Sequence, residues 1–332
     1  MIAITLSHVP NIAEGSTFAH FFRSFNYCFG GFGDNLFVIV GCWFLVESKA
    51  KFDRVLRLIF QVCLYSICLS IVSKLMGSNV TVRGFLASFS YWFPFGYAFM
   101  LILFPFIKRV KVSTQKVIMW TVGGVCLAVT IAKMLGYNNI FLRLFSKGLF
   151  IGPLWFCTVF AFINCYKNKL KLFYEQQKSI LLILASICIH LVMTVVVCRW
   201  NLVSIRAVCS PLCFFCALAM FGFFYKLRID NSAIINTLSS VTFGVYLIQC
   251  HRIFRAYVWK KVFDFEALSI SNLGLYILFT ILIIIGLFTL SYIIDFIWKA
   301  VFSFEAYPFR MGELKLLCPE DLQQAHRSEE LS

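Results

Sequence analysis

The stretch 271–298 is an apolar run that carries a single charged residue, Asp295. A helix rises 1.5 Å per residue, so about 20 such residues cross the ~30 Å hydrocarbon layer of a bilayer. Eight further apolar runs lie at 33–47, 56–76, 84–107, 117–136, 148–166, 179–198, 207–225 and 234–251, the first and the last of these being short or weakly apolar. A shorter apolar fragment, Met1 to Val9, is ended by Pro10. The runs are continuous rather than alternating, which speaks against a β-barrel. Of the 332 residues, 61% are hydrophobic and 14% charged, where a soluble domain has about a quarter charged. The expected fold is all-α: a polytopic integral membrane protein of about nine to ten transmembrane helices. Residues 1–318 read as one membrane domain and 319–332 as a polar, cytoplasmic tail.

Charge orients the spans. Cations gather in the connections 49–57, 108–116, 167–178 and 226–228 and after Lys299. These connections follow alternate spans, so all fit one side, and positive-inside bias makes that side cytoplasmic. Residues 252–261 depart from the pattern, with Arg252, Arg255, Lys260 and Lys261 on the opposite side. The expected location is the plasma membrane, with the C-terminus in the cytoplasm. A net charge of +15 spread over short loops indicates anionic lipid, not nucleic acid, as the partner. The 14 cysteines lie mostly inside apolar runs, where cysteine behaves as a small hydrophobe. No paired Cys-x-x-Cys and histidine arrangement is present, so no metal site is expected. Nor is a cleavable signal peptide evident, since the apolar start is short and has no basic leader.

Several residues could carry chemistry. Lys51, Arg54 and Arg57 recur every third residue beside the second span. On a helix they form a basic stripe suited to an anionic, phosphate-bearing ligand. Topological anchoring accounts for the arginines equally well. His8 lies in an apolar setting, where an ionisable group is costly and often functional. A histidine there can act as a general base, or can simply end a frayed interfacial segment. His190 sits mid-span and reads as a packing residue or a cavity lining. His251, beside Arg252 and Arg255, reads equally as an interfacial side chain reaching for water or as a catalytic group. His20 stands with Phe21, Phe22 and Arg23, where it could meet a sugar or lipid headgroup. The cluster Ser90-Tyr91-Trp92-Phe93-Pro94 is either an interfacial aromatic belt or a platform on which a sugar stacks.

Several segments, in order, resemble the acyltransferase-three family of integral-membrane acyltransferases. They are Gly33-Asp34-Asn35-Leu36-Phe37-Val38, Cys42-Trp43-Phe44-Leu45, Phe52-Asp53-Arg54-Val55-Leu56-Arg57, Tyr91-Trp92-Phe93 with Pro105-Phe106, and Thr242-Phe243-Gly244-Val245-Tyr246-Leu247-Ile248. The resemblance implies about ten helices and transfer of an acyl group, often acetyl, from acyl-coenzyme A. That thioester is a co-substrate, and no bound cofactor is implied. The implied acceptor is a hydroxyl of a cell-surface or lipid-linked glycan. Arg54 and Arg57 match the family's Arg-x-x-Arg pair at the acyl donor, with Lys51 beside them. His8 matches its first-helix general base; Tyr91 and Trp92, read above as a platform on which a sugar stacks, are the candidate acceptor-binding residues. The family's first helix extends further upstream and carries an arginine eleven residues before the histidine. The resemblance therefore implies either a start codon assigned too late or a truncated relative with an incomplete first helix. Gly41-Cys42 stands for the usual Ser-Gly, and Gln249 for a frequent histidine. Two other readings use the same aromatic and basic residues without chemistry: a glycolipid or polysaccharide exporter or flippase, and an inactive truncated relative.

Overall fold

Lipid offers no hydrogen bonds, so apolar runs satisfy their backbone internally as helices. The computed structural model describes residues 1–9, 17–49, 52–78, 80–87, 91–135, 137, 148–200, 207–227, 232–257 and 272–302. Among these residues every regular element is a helix, and no strand occurs. The helices are α1 (Ile2–Leu6), α2 (Thr17–Leu45), α3 (Asp53–Leu75), α4 (Val82–Ala87), α5 (Trp92–Arg109) and α6 (Val112–Met134). They continue with α7 (Gly148–Gln176), α8 (Ser179–Trp200), α9 (Pro211–Lys226), α10 (Ala233–Cys250), α11 (Arg252–Tyr257) and α12 (Leu273–Phe302).

Six described helices, α2, α3, α6, α8, α10 and α12, are long and apolar enough to cross a membrane, as befits a multi-pass protein. The sequence count of nine to ten is larger by three or four. The difference has a physical origin. Helix α5 ends on Lys108-Arg109, α7 runs on into Lys167, Lys169 and Lys171, and α9 has 16 residues. Two boundaries also differ. Helix α2 begins at Thr17 rather than near residue 33, and the run 84–107 divides into α4 and α5. The tail 319–332, Lys51 and Ser90 lie outside the described residues.

Helix α2 is the hub, packing on α1, α7, α8 and α9. Its buried Asn35 supplies the polar fastening. Asn35 Nδ2 donates to Gly31 O at 2.8 Å and Val208 O at 2.7 Å, and its Oδ1 accepts from Trp155 Nε1 at 2.8 Å. One amide thus ties α2 to α7 and to the segment leading into α9. Asn26 Nδ2 donates to Tyr276 Oη at 2.7 Å, linking α2 to α12. Gly33 lets α1 lie against α2, since a Cβ there would sit 2.7 Å from Ile4 Cγ1. On the other flank α10 packs against α12 and α3, and α11 turns back across α3 and α4.

Candidate functional site

The cation-rich helix ends of the sequence meet at one end of the bundle. An α-helix leaves its last carbonyls unpaired, and cations complement that negative terminus. Lysines from other helices do this for α2. Lys108 Nζ, from the end of α5, donates to Val46 O at 2.7 Å and to Ser48 O at 3.3 Å. Lys167 Nζ, from α7, donates to Trp43 O at 2.7 Å, pairs with Glu47 at 2.6 Å and lies 5.0 Å from the Trp43 ring centre. At the end of α9, Lys226 Nζ donates to Glu175 O at 3.2 Å and to Gln177 O. The two arginines of the basic stripe part company. Arg54 Nη1 donates to Ser48 Oγ at 2.9 Å, whereas Arg57 pairs with Asp53 on its own helix at 2.5 Å.

From this mouth a column of rings leads inward. Tyr97 lies within Coulombic reach of Arg54, and its hydroxyl would be 2.6 Å from a Cβ on Gly41. Glycine at position 41 therefore admits the tyrosine. Tyr97 and Phe93 stack at 6.3 Å, Phe37 meets them at 5.9 and 5.4 Å, and Phe93 meets Tyr246 at 5.2 Å. Tyr91 is buried, 6.4 Å from Tyr246, and its hydroxyl donates to Leu247 O at 3.2 Å. That carbonyl belongs to the last turn of α10, so Tyr91 caps a helix end. Trp92 begins α5 and is half-buried, with its ring over Gly152 and 6.1 Å from Phe156.

His8 lies deeper. Helix α1 ends at Leu6 with Ser7 as its C-cap, and the half-buried His8 follows, with its N–H donating to Thr5 O at 2.9 Å. A Cβ on Gly30 would sit 3.3 Å from Ser7 Oγ, which fixes the level of α1 along α2. From Gly30 to Leu45 is about 22 Å at 1.5 Å per residue. His8 and the Arg54 mouth are therefore well separated along the axis of the bundle. Next to Met1, which precedes α1, stand two buried polar side chains. Gln249 Nε2 reaches Met1 Sδ at 3.6 Å, and Asp34 is within Coulombic range of both the Met1 amine and Tyr246. Gln249 Oε1 and Asp34 Oδ1 are buried acceptors without a hydrogen bond among the described residues.

His251 is not the interfacial side chain read from sequence. It is fully buried. Its Nδ1 accepts from Phe254 N at 3.1 Å, so the proton sits on Nε2, which faces Ser66 O at 3.3 Å and Ser70 Oγ at 3.4 Å. A neutral ring in one tautomer thus caps the start of α11 and fastens it to α3. His190 packs among Phe25, Phe29 and Phe32 at 4.8, 4.2 and 6.1 Å, and its Nε2 lies 3.1 Å from Phe25 O. His20 Nδ1 lies 3.2 Å from Cys198 Sγ, at the other end of α2 from the cations.

The structure places Arg54 at the mouth, Tyr91 and Trp92 at the inner end of the ring column and His8 just after α1, and it does not bring His8 and Arg54 together. Sequence reasoning missed Lys108 and Lys167 as members of the mouth. Both belong to cation-rich connections, but nothing local couples them to α2. No family model matches the chain, and no curated protein or solved structure matches it either.

Proposed function

We propose that the chain is a membrane O-acyltransferase that moves an acyl group, acetyl in the simplest case, from acyl-coenzyme A to a hydroxyl of a cell-surface or lipid-linked glycan. In this reading nine helices, α2, α3, α5 to α10 and α12, cross the plasma membrane. The cation end and the C-terminus face the cytoplasm. The observation that supports the reading best is the axial separation of about 22 Å between the Arg54 mouth and the level of His8. No compact substrate touches both. A donor with a phosphate-bearing head and a long flexible arm does, and acyl-coenzyme A has that shape.

The chemistry is nucleophilic acyl transfer. Arginine at the mouth holds phosphate through its forked donors. Neutral His8 takes the proton from the acceptor hydroxyl as that oxygen attacks the thioester carbonyl. The C–O bond forms, the C–S bond breaks, and coenzyme A leaves as the thiol after receiving the proton from His8. Tyr91 and Trp92 border the acceptor, with Trp92 offering the more open ring.

The test is transfer of labelled acetyl from acetyl-coenzyme A to glycan in native-host membranes, with the wild-type chain, the His8→Ala variant or a gene deletion. Base-labile labelled ester is expected with the wild-type chain and lost in the other two, while the variant remains in the membrane at wild-type level. Labelling that survives deletion removes the reading and leaves the exporter, whose glycolipid transport would withstand His8→Ala. Labelling that survives His8→Ala alone removes His8 as the base.

A further inference from the structure

Two cations from different helices converge on one residue at the mouth of the bundle. Arg54, in the first turn of α3, reaches Ser48 Oγ at 2.9 Å. Lys108, in the last turn of α5, reaches Ser48 O at 3.3 Å and Val46 O at 2.7 Å. The nearby acids are engaged elsewhere, Glu47 with Lys167 and Asp53 with Arg57. Neither Arg54 nor Lys108 has a carboxylate partner among the described residues. Bringing two like charges together is unfavourable unless an anion joins them.

We propose that Arg54 and Lys108, meeting at Ser48, form a binding site for a phosphate group, and that Arg57 stands outside it. The guanidinium supplies a fork of donors and the ammonium a compact charge, the pair of groups that phosphate takes. Arg57 is already neutralised by Asp53 and contributes only long-range attraction. The phosphate has two sources of identical chemistry, the head of a soluble acyl donor or a lipid headgroup. The soluble source rests on the acyl-transfer reading above.

The experiment uses the full chain in nanodiscs, in two arms. The first titrates coenzyme A onto protein in pure phosphatidylcholine. Arg54→Gln and Lys108→Gln each weaken binding about tenfold or more, the loss expected for a charged hydrogen-bonding partner. Arg57→Gln stays within about twofold. Because Lys108 also caps α2, Lys108→Arg serves as the folding control and keeps near-wild-type binding. The second arm counts retained phosphatidylglycerol by native mass spectrometry. Loss of that lipid in Arg54→Gln and Lys108→Gln, with wild-type protein showing no coenzyme A binding, keeps the site and assigns its phosphate to lipid. Lys108→Gln that matches wild type with both probes overturns the site. So does an Arg57→Gln loss equal to that of Arg54→Gln. A wild-type chain that transfers no acetyl sinks the acyl-transfer reading alone, because the lipid arm still decides the site.

Discussion

Gly244→Ala adds one methyl group at the tightest crossing on the α10 flank. A Cβ at 244 would overlap Ser291 Oγ of α12 and Tyr65 Oη of α3. Both residues are buried, so neither has open space to move into. Ser291 Oγ also donates to Val241 O at 3.0 Å, and displacing it forfeits a bond of about 1 kcal/mol. Overpacking a filled interior costs about 1–3 kcal/mol. Against this, alanine is a better helix former than glycine by about 1 kcal/mol. The net expectation is a loss of about 1–3 kcal/mol. Gly123→Ala in α6 is the matched comparison. No atom lies within 4 Å of a Cβ there, so only the gain in helix propensity remains, again about 1 kcal/mol. Reversible unfolding in mixed micelles, followed by tryptophan fluorescence, should shift in opposite directions for the two variants. Equal or greater stability of Gly244→Ala relative to Gly123→Ala would refute the claim that α3, α10 and α12 are in closest contact at this glycine.

Two further expectations concern the buried polar fastenings. Asn35→Leu leaves the Trp155 indole N–H and Val208 O without their partner, and the same unfolding assay should show a loss of about 2–4 kcal/mol. His251→Ala removes the acceptor of the Phe254 amide, so that amide should exchange with solvent at least about tenfold faster. His251→Asn, which restores a capping oxygen, should bring back most of the protection. Unaltered exchange in the alanine variant would mean that His251 does not hold α11.

The sequence and the structure agree best where lipid is the solvent. The run 56–76 and helix α3, Asp53–Leu75, share their ends to within three residues, because charges flank an apolar stretch on both sides. Helix α2 shows the opposite case. Its first half holds His20, Arg23, Ser24 and Asn26, so a hydropathy reading starts it sixteen residues late. Over an 18-residue apolar window of α2 some 61% of the residues are buried inside the fold, against 22% for that of α12. Apolarity thus marks exposure to lipid, and the central helix is among the less apolar. The division of 84–107 into α4 and α5 was likewise hidden, since hydropathy does not mark where one apolar helix ends and the next begins. Of the candidate site, Arg54 and Arg57 were visible as a stripe. Their different fates depend on Ser48, Asp53 and Lys108, and the Lys108 contact joins residues 60 apart in the chain. His251 was misjudged because its partners, Ser66, Ser70 and Phe254, are brought to it by the turn it helps to make.

The rings of Phe37, Phe93, Tyr97 and Tyr246 do more than lead inward from the mouth. A membrane stores work as differences in ion concentration and voltage, and any watery passage would discharge that store. Aromatic side chains in edge, tilted and stacked contact, with centres 5.2 to 6.3 Å apart, present apolar surface to one another where a watery passage would need polar groups. If the acyl-transfer reading proposed above holds, that apolar column would let reactants held at two depths of one bundle meet without coupling their encounter to a leak of protons or salt.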